Sequence, residues 1–204
     1  MLKLYKYEGK NKEEVLKNAL NTLGVSEEEV ITFEHETEAK LFKAKKIELT
    51  VIKKEDVKAS IKEFLTELSA KMNMEMHYEI KESENIFNVT LVSDNNSILI
   101  GKDGRTMNSV QLVLRQYLNK GLENQLKVNL DVSNYKAKKE KNLEYTIKHL
   151  AKEVLSTKVS VKLDPMNSYE RRLVHSIVGE FSELETISEG EEPNRYVIIK
   201  VKED

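Results

Sequence analysis

The chain has 204 residues, 33% charged and 39% apolar, with a formal net charge of −2 at pH 7 and no cysteine. Disulfides and thiolate metal centres are therefore excluded, and the near-balanced charge argues against a simple polycation. The N-terminus lacks the apolar core of a signal peptide, and no apolar run approaches the roughly 20 residues needed to span a bilayer. A folded cytoplasmic protein of one or two ordinary domains, or several small ones, is expected.

Residues 1–52 read as a β-α-β-β unit. Leu2, Leu4 and the residues between them and Tyr7 alternate like a strand. Asn11 with Glu14 resembles a capping box, and Val15, Leu16, Ala19, Leu20 and Leu23 form one helical face that Gly24 can end. Ser26 caps a short turn before a strand at Val30, Ile31 and Phe33, and Ile47, Leu49 and Val51 alternate again. His35 reads as a surface residue.

Val57, Ile61, Phe64, Leu65, Leu68 and Met72 recur at helical spacing. Two alternating runs follow, Met74 to Ile80 and Phe87 to Leu91, separated by a polar hairpin turn. A short apolar helix at Ile98, Leu99 and Ile100 then runs into Gly101, Lys102, Asp103, Gly104 and Arg105. The glycines let the chain turn where a Cβ would clash and are expected to leave amides bare, beside two cations and the positive end of the next helix. Such a turn would suit a phosphate. On glycine spacing alone, a capped connection between two helices accounts for it equally well. Asp103 is an acid in that setting, tuning affinity downward or capping the next helix. In the long helix that follows, Met107, Val110, Val113, Leu114, Tyr117 and Leu118 share an apolar face, and a strand at Leu126 to Val132 closes the segment.

From Tyr135 the pattern changes. Residues 135–158 carry seven lysines against three glutamates, in a helix whose apolar face is Leu143, Ile147, Leu150, Val154 and Leu155. Alternation at Val159, Val161 and Leu163 leads to an Asp164–Pro165 turn, and Asn167 with Glu170 repeats the capping-box pattern. Stepping about 100° per residue along this last helix puts Tyr169, Leu173, Val174, Ile177 and Phe181 on the core side. Arg171, Arg172 and His175 then face solvent, with Gly179 and Ser182. A solvated face with an Arg–His contact one turn apart is the plain alternative. The chain has 28 Lys and only five Arg, at 105, 115, 171, 172 and 195, and arginine is the better phosphate fork.

The order helix, strand, strand, helix, Gly-x-x-Gly, helix, strand over about 55–133 resembles a type II (prokaryotic) KH domain. The resemblance implies RNA clamped at Gly101, Lys102, Asp103, Gly104 and Arg105, with Ile98, Leu99 and Ile100 as core and groove wall. Arg171 and His175, with their flanking residues and the Tyr196 to Ile199 strand, resemble an R-three-H domain over about 138–204. That resemblance makes Arg171, Arg172, His175 and Arg195 nucleic-acid candidates, with a largely neutral His175 acting by hydrogen bonding or stacking. Preceded by the unit at 1–52, the whole resembles the bacterial Jag (SpoIIIJ-associated) family. The fold implied is α+β in three small domains, 1–52, 55–133 and 138–204. The implied partners are single-stranded RNA, with single-stranded DNA as a competitor, and a small single-KH-domain protein. A membrane-associated protein met through the N-terminal domain, without direct membrane insertion, is a further implied contact, and the implied role is in cell elongation or division. One departure is that relatives carry a Gly-containing, Lys-rich turn before the last N-terminal strand, where this chain has Lys40, Lys43, Lys45 and Lys46 but no glycine.

Nothing points to an enzyme, a cofactor or a metal. A Walker loop is missing its upstream glycine, the four histidines lie on separate elements, and no nucleophile elbow is present. Two other classes stay open: a protein–protein adaptor with incidental RNA binding, and a ribosome or rRNA maturation factor.

Overall fold

Strand β1 (Tyr5–Gly9) leads through Asn11 into α1 (Lys12–Leu23), in the computed structural model, which describes residues 2–37 and 46–202. Asn11 Oδ1 accepts from the Glu13 amide at 2.9 Å, and Gly24 ends the helix in the left-handed region at φ 64°. Ser26 and Glu29 form the capping box of a short 3₁₀ turn. Strands β2 (Val30–Thr37) and β3 (Lys46–Lys53) complete a sheet of order β1-β3-β2, antiparallel throughout. Leu49 and Val51 of the central strand pack against Val15 and Ala19 of α1, with Leu16, Leu20 and Leu23 at the margin. The glycine-free lysine segment at 39–45 lies outside the described residues.

β3 passes directly into α2 (Lys54–Met72) with no linker. Then come β4 (Met76–Ser83), β5 (Ile86–Ser93), α3 (Asn96–Ile100), a 3₁₀ turn (Lys102–Gly104), α4 (Arg105–Leu118) and β6 (Lys127–Val132). The second sheet has order β4-β5-β6, with β4–β5 antiparallel and β5–β6 parallel. A parallel pair needs a crossover, and α3, the glycine turn and α4 supply it. Register aligns Phe87 with Val128, Val89 with Leu130 and Leu91 with Val132. All six are buried beneath Val57, Ile61 and Leu65 of α2 and Met107, Leu114 and Leu118 of α4. Val113, expected inward, is 51% exposed; the inward row is completed instead by Gln111, whose Oε1 accepts from the Leu130 amide at 2.8 Å. Tyr117 ties α4 to α2 by donating to Glu63 at 2.7 Å, a bond that pushes its phenol up to about 12.

The chain divides into two compact units, Met1–Ser133 with these two sheets and Asn134–Asp204 with the third. In the second unit α5 (Tyr135–Thr157) precedes β7 (Val161–Lys162), α6 (Ser168–Val178), β8 (Leu184–Glu189) and β9 (Tyr196–Val201). Its sheet is antiparallel, of order β7-β9-β8. Ile147, Ala151 and Val154 of α5 meet Val174, Ile177 and Val178 of α6 over Leu184, Val197 and Ile199. The molecule is thus a mixed α+β protein, as expected. Strand β8 is not legible in the sequence, for a reason that lies in the site below.

Phe87 is completely buried in the second sheet. Replacing it by Ala should lower the unfolding free energy by about 3–5 kcal/mol, read from urea denaturation followed by circular dichroism.

Candidate nucleic-acid interface

The glycine turn is shaped by backbone handedness. Gly101 sits at φ 68°, ψ −178°, a region open essentially to glycine alone. Asp103 follows at φ 57° and Gly104 at φ 84°. Three of the four residues from 101 to 104 therefore have positive φ, and α4 starts at once after the reversal. A Cβ on Gly101 would run into the Thr106 side chain. Asp is one of the few side chains that tolerate the left-handed region, which accounts for an acid at 103.

The amides of both glycines, expected to be bare, and of Arg105 after them, are used internally. Gly101 N donates to Ser97 O at 2.9 Å and Gly104 N to Gly101 O at 3.3 Å, while Arg105 N donates to Lys102 O. The glycines thus contribute shape, and Gly104 is itself buried. Charge comes from the exposed side chains of Lys102 and Arg105, at the N-terminal end of the 14-residue helix α4, whose first turn holds no acid. Below them Leu99 is buried, whereas Ile98 is 50% exposed and could line a groove.

In the second unit Val174 and Ile177 are buried as expected, with Leu173 and Phe181 packed beside them, but two residues at the start of α6 exchange sides. Tyr169, assigned to the core, is 60% exposed, while Arg171, assigned to solvent, is only 8% exposed. The Arg171 Nη1 donates to Met166 O at 3.1 Å and pairs with Glu192 Oε1 at 2.7 Å. It thereby clips the residues before α6 to the loop after β8. Packing allows this because the aliphatic stem is buried while the guanidinium keeps both partners. Tyr169 can point outward because its hydroxyl bonds to Glu140 of α5, an interaction that raises its pKa.

His175 is half-buried against β8. Its Nδ1 lies 2.5 Å from Thr186 Oγ1 and its Nε2 2.8 Å from Ser188 Oγ. A neutral imidazole donates from one nitrogen and accepts at the other, and a hydroxyl can take either part. Burial, and secondarily the Arg171 charge, lower the His175 pKa. The stacking or hydrogen-bonding surface expected of this ring is therefore turned toward the protein. The hydroxyls also explain why β8 is hidden in the sequence. Its helix-facing positions are Leu184, Thr186 and Ser188, so the alternation of apolar and polar residues is lost where the strand serves the histidine.

Two candidates stay accessible. Arg172 is exposed, and Arg195 is partly so, with a buried Nε that has no hydrogen-bond partner among the described residues. The loop group (Gly101, Lys102, Asp103, Gly104, Arg105) belongs to the first unit, and Arg171, Arg172, His175 and Arg195 belong to the second. Among the described residues no group of three or more His, Cys, Asp or Glu could hold a metal ion, and no helix is long and apolar enough to cross a membrane.

Because the folded pKa of His175 is lowered, the unfolded chain takes its proton first. Its stabilising contribution is complete above about pH 6.5 and is lost as pH falls toward the lower folded value. The urea midpoint of the wild type should drop over that window, and His175→Gln should remove this part of the drop. Arg171→Ala should destabilise by about 1–3 kcal/mol, measured the same way, whereas exposed Arg172→Ala should stay within about 0.5 kcal/mol.

The family model described as "KhpA/KhpB, KH domain" matches residues 58–132, and the model of the R-three-H domain matches residues 141–201. The RNA-binding protein KhpB of Clostridium symbiosum is 39% identical over 154 residues, covering 74% of this chain and 69% of that protein. The KhpB of Bacillus subtilis (strain 168) is 27% identical over 200 residues, covering 95% and 96%. That of Streptococcus pneumoniae (strain ATCC BAA-255 / R6) is 30% identical over 129 residues, covering 62% and 39%. With a KH domain holding the glycine turn, an R-three-H domain holding Arg171 and His175, and this similarity along its length, the chain belongs to the KhpB (Jag) family.

Proposed function

We propose that this protein binds single-stranded RNA and acts in the cytoplasm as a post-transcriptional regulator or RNA chaperone linked to cell elongation or division, without catalysis. The observation that carries the reading is the turn at Gly101–Gly104, which sets exposed Lys102 and Arg105 at the start of α4. RNA binding is the activity named for the KhpB relatives, none of which bears an enzyme's name. The KH turn clamps the RNA backbone through the two side chains, over a frame formed by its glycines and Asp103. In the R-three-H domain exposed Arg172 and the partly exposed Arg195 make the phosphate contacts. Arg171 and His175 act as positioning residues that hold α6 to β8 and the neighbouring loops. The domains are taken as 1–52, 55–133 and 138–204, and the KH domain pairs with a small single-KH-domain protein.

A second reading, an adaptor for a protein at the cell envelope, draws on a cleft of the first unit. It is lined by Glu27 and Glu28 from before β2 and by Glu82 and Glu84 at the β4–β5 turn, against Lys54 and Lys127. Lys54 is already held by Glu82 at 3.1 Å. This acidic lining repels a polyanion and suits a basic protein segment. Contacts of that kind should survive nuclease treatment of a pulldown, and RNA-bridged contacts should not.

Lys102→Gln with Arg105→Gln should leave the circular dichroism spectrum unchanged and weaken binding of a labelled polyuridylate. The slope of log K against log salt should fall by about 1.4, at about 0.7 per lost single-strand phosphate contact. An unchanged slope would remove the glycine turn from the binding mechanism.

A further inference from the structure

The side of α5 that turns away from the core has a composition that neither domain signature accounts for. Ile147, Ala151 and Val154 face inward. On the opposite side, within an arc of roughly 120° at 100° per residue, lie Lys138, Lys141, Asn142, Tyr145, His149, Lys152 and Ser156. All of them are exposed. Tyr145 is 76% exposed, the highest value among the large apolar and aromatic residues that stand out from the described surface. A tyrosine ring left this open forgoes the burial that normally holds an aromatic side chain. The acids of the helix are kept away from this line. Glu144 is held by Lys148 at 2.7 Å, Glu140 bonds to Tyr169, and only Glu153 borders the arc. Among the described residues, none of Lys138, Lys141 and Lys152 has a carboxylate partner within 4 Å; Glu144 feels the Lys141 charge at longer range but is itself paired with Lys148.

The stripe runs from Lys138 to Lys152, about 21 Å at 1.5 Å per residue. Lysines at both ends and two flat rings in the middle form the pattern that carries single strands without sequence preference: cations follow the phosphates and rings stack on bases. We infer that this face of α5 is a second single-stranded RNA track, in which Lys138, Lys141 and Lys152 contact phosphates and Tyr145, with His149, stacks on bases. The inference rests on the RNA-binding reading above and adds a site to it. An anionic membrane would meet the same charges, but this face has no Leu, Ile, Val or Phe to enter a bilayer, and amphipathic membrane helices depend on such residues. RNA is therefore the occupant that the chemistry favours.

The test uses the full-length chain, a fluorescently labelled polyuridylate, and anisotropy titrations over a range of salt. The triple variant Lys138→Gln, Lys141→Gln, Lys152→Gln should lower the salt slope by about 2, at about 0.7 per single-strand phosphate. Tyr145→Ala should weaken binding at least about fivefold, and Tyr145→Phe, which keeps the ring, should stay within about twofold of wild type. Ultraviolet crosslinking should place RNA on the peptide that contains Tyr145. A normal slope in the triple variant, when Lys102→Gln with Arg105→Gln does lower it, would overturn the track and leave the KH reading standing. Equal loss in Tyr145→Ala and Tyr145→Phe would overturn the stacking role. Binding of the wild type to phosphatidylglycerol vesicles that the triple variant loses, with RNA binding intact, would overturn the proposal in favour of a membrane surface. A wild type that binds no polyuridylate would overturn both this and the reading on which it rests.

Discussion

The constraint on which the first unit depends is the handedness of four residues. The parallel pairing of β5 and β6 requires a crossover, and the chain makes its reversal between α3 and α4 in one short turn. Positive φ at Gly101, Asp103 and Gly104 is what makes so tight a reversal possible. Leu99 before the turn and Met107 after it are buried, so the turn is held from both sides. The amides of Gly101, Gly104 and Arg105 close on the Ser97, Gly101 and Lys102 carbonyls. A turn braced in this way is a preformed frame, and the Lys102 and Arg105 side chains are what it displays.

The second unit separates frame and charge in the same manner. Arg171 looks from its chemistry like a phosphate fork, yet its Nη1 joins a backbone carbonyl and a carboxylate inside the protein. His175 has both nitrogens on hydroxyls of β8. Together they hold α6 against the sheet and its connecting loop, an arrangement that apolar contacts alone would leave free to slide. The charge presented to solvent comes from other residues: Arg172, part of Arg195, and Lys138, Lys141 and Lys152 of α5. A signature residue can thus be indispensable to a surface without lying on it.

Much of this is legible from residue order. Element types from β1 to β6, the cap at Asn167 and the reversal at Gly101–Gly104 all follow from local preferences, which depend on neighbours in sequence. Three features do not. Val113 reads as inward because apolar spacing fits several helical phases, and only the sheet beneath α4 chooses among them. Tyr169 and Arg171 exchange their expected sides because an amphipathic side chain can occupy either, depending on whether a partner such as Glu140 or Glu192 waits there. Strand β8 is hidden because Thr186 and Ser188 stand where alternation calls for apolar residues.

The sequence alone determined the α+β class, the family, and the position of the glycine turn, because these rest on short-range periodicity and on the steric freedom of glycine. Tertiary structure alone decided which cations are displayed and which are used internally. Arg171, Arg172 and Lys138 carry the same charge in the chain. Their roles differ because a guanidinium or ammonium group goes where its desolvation is offset by partners. For Arg171 that partner is Glu192, 21 residues away; for Lys138 no carboxylate among the described residues lies within ion-pair distance. Asp103 shows both sides of this division: an unexplained acid in the linear chain, it is a residue suited to a left-handed turn once the backbone is seen.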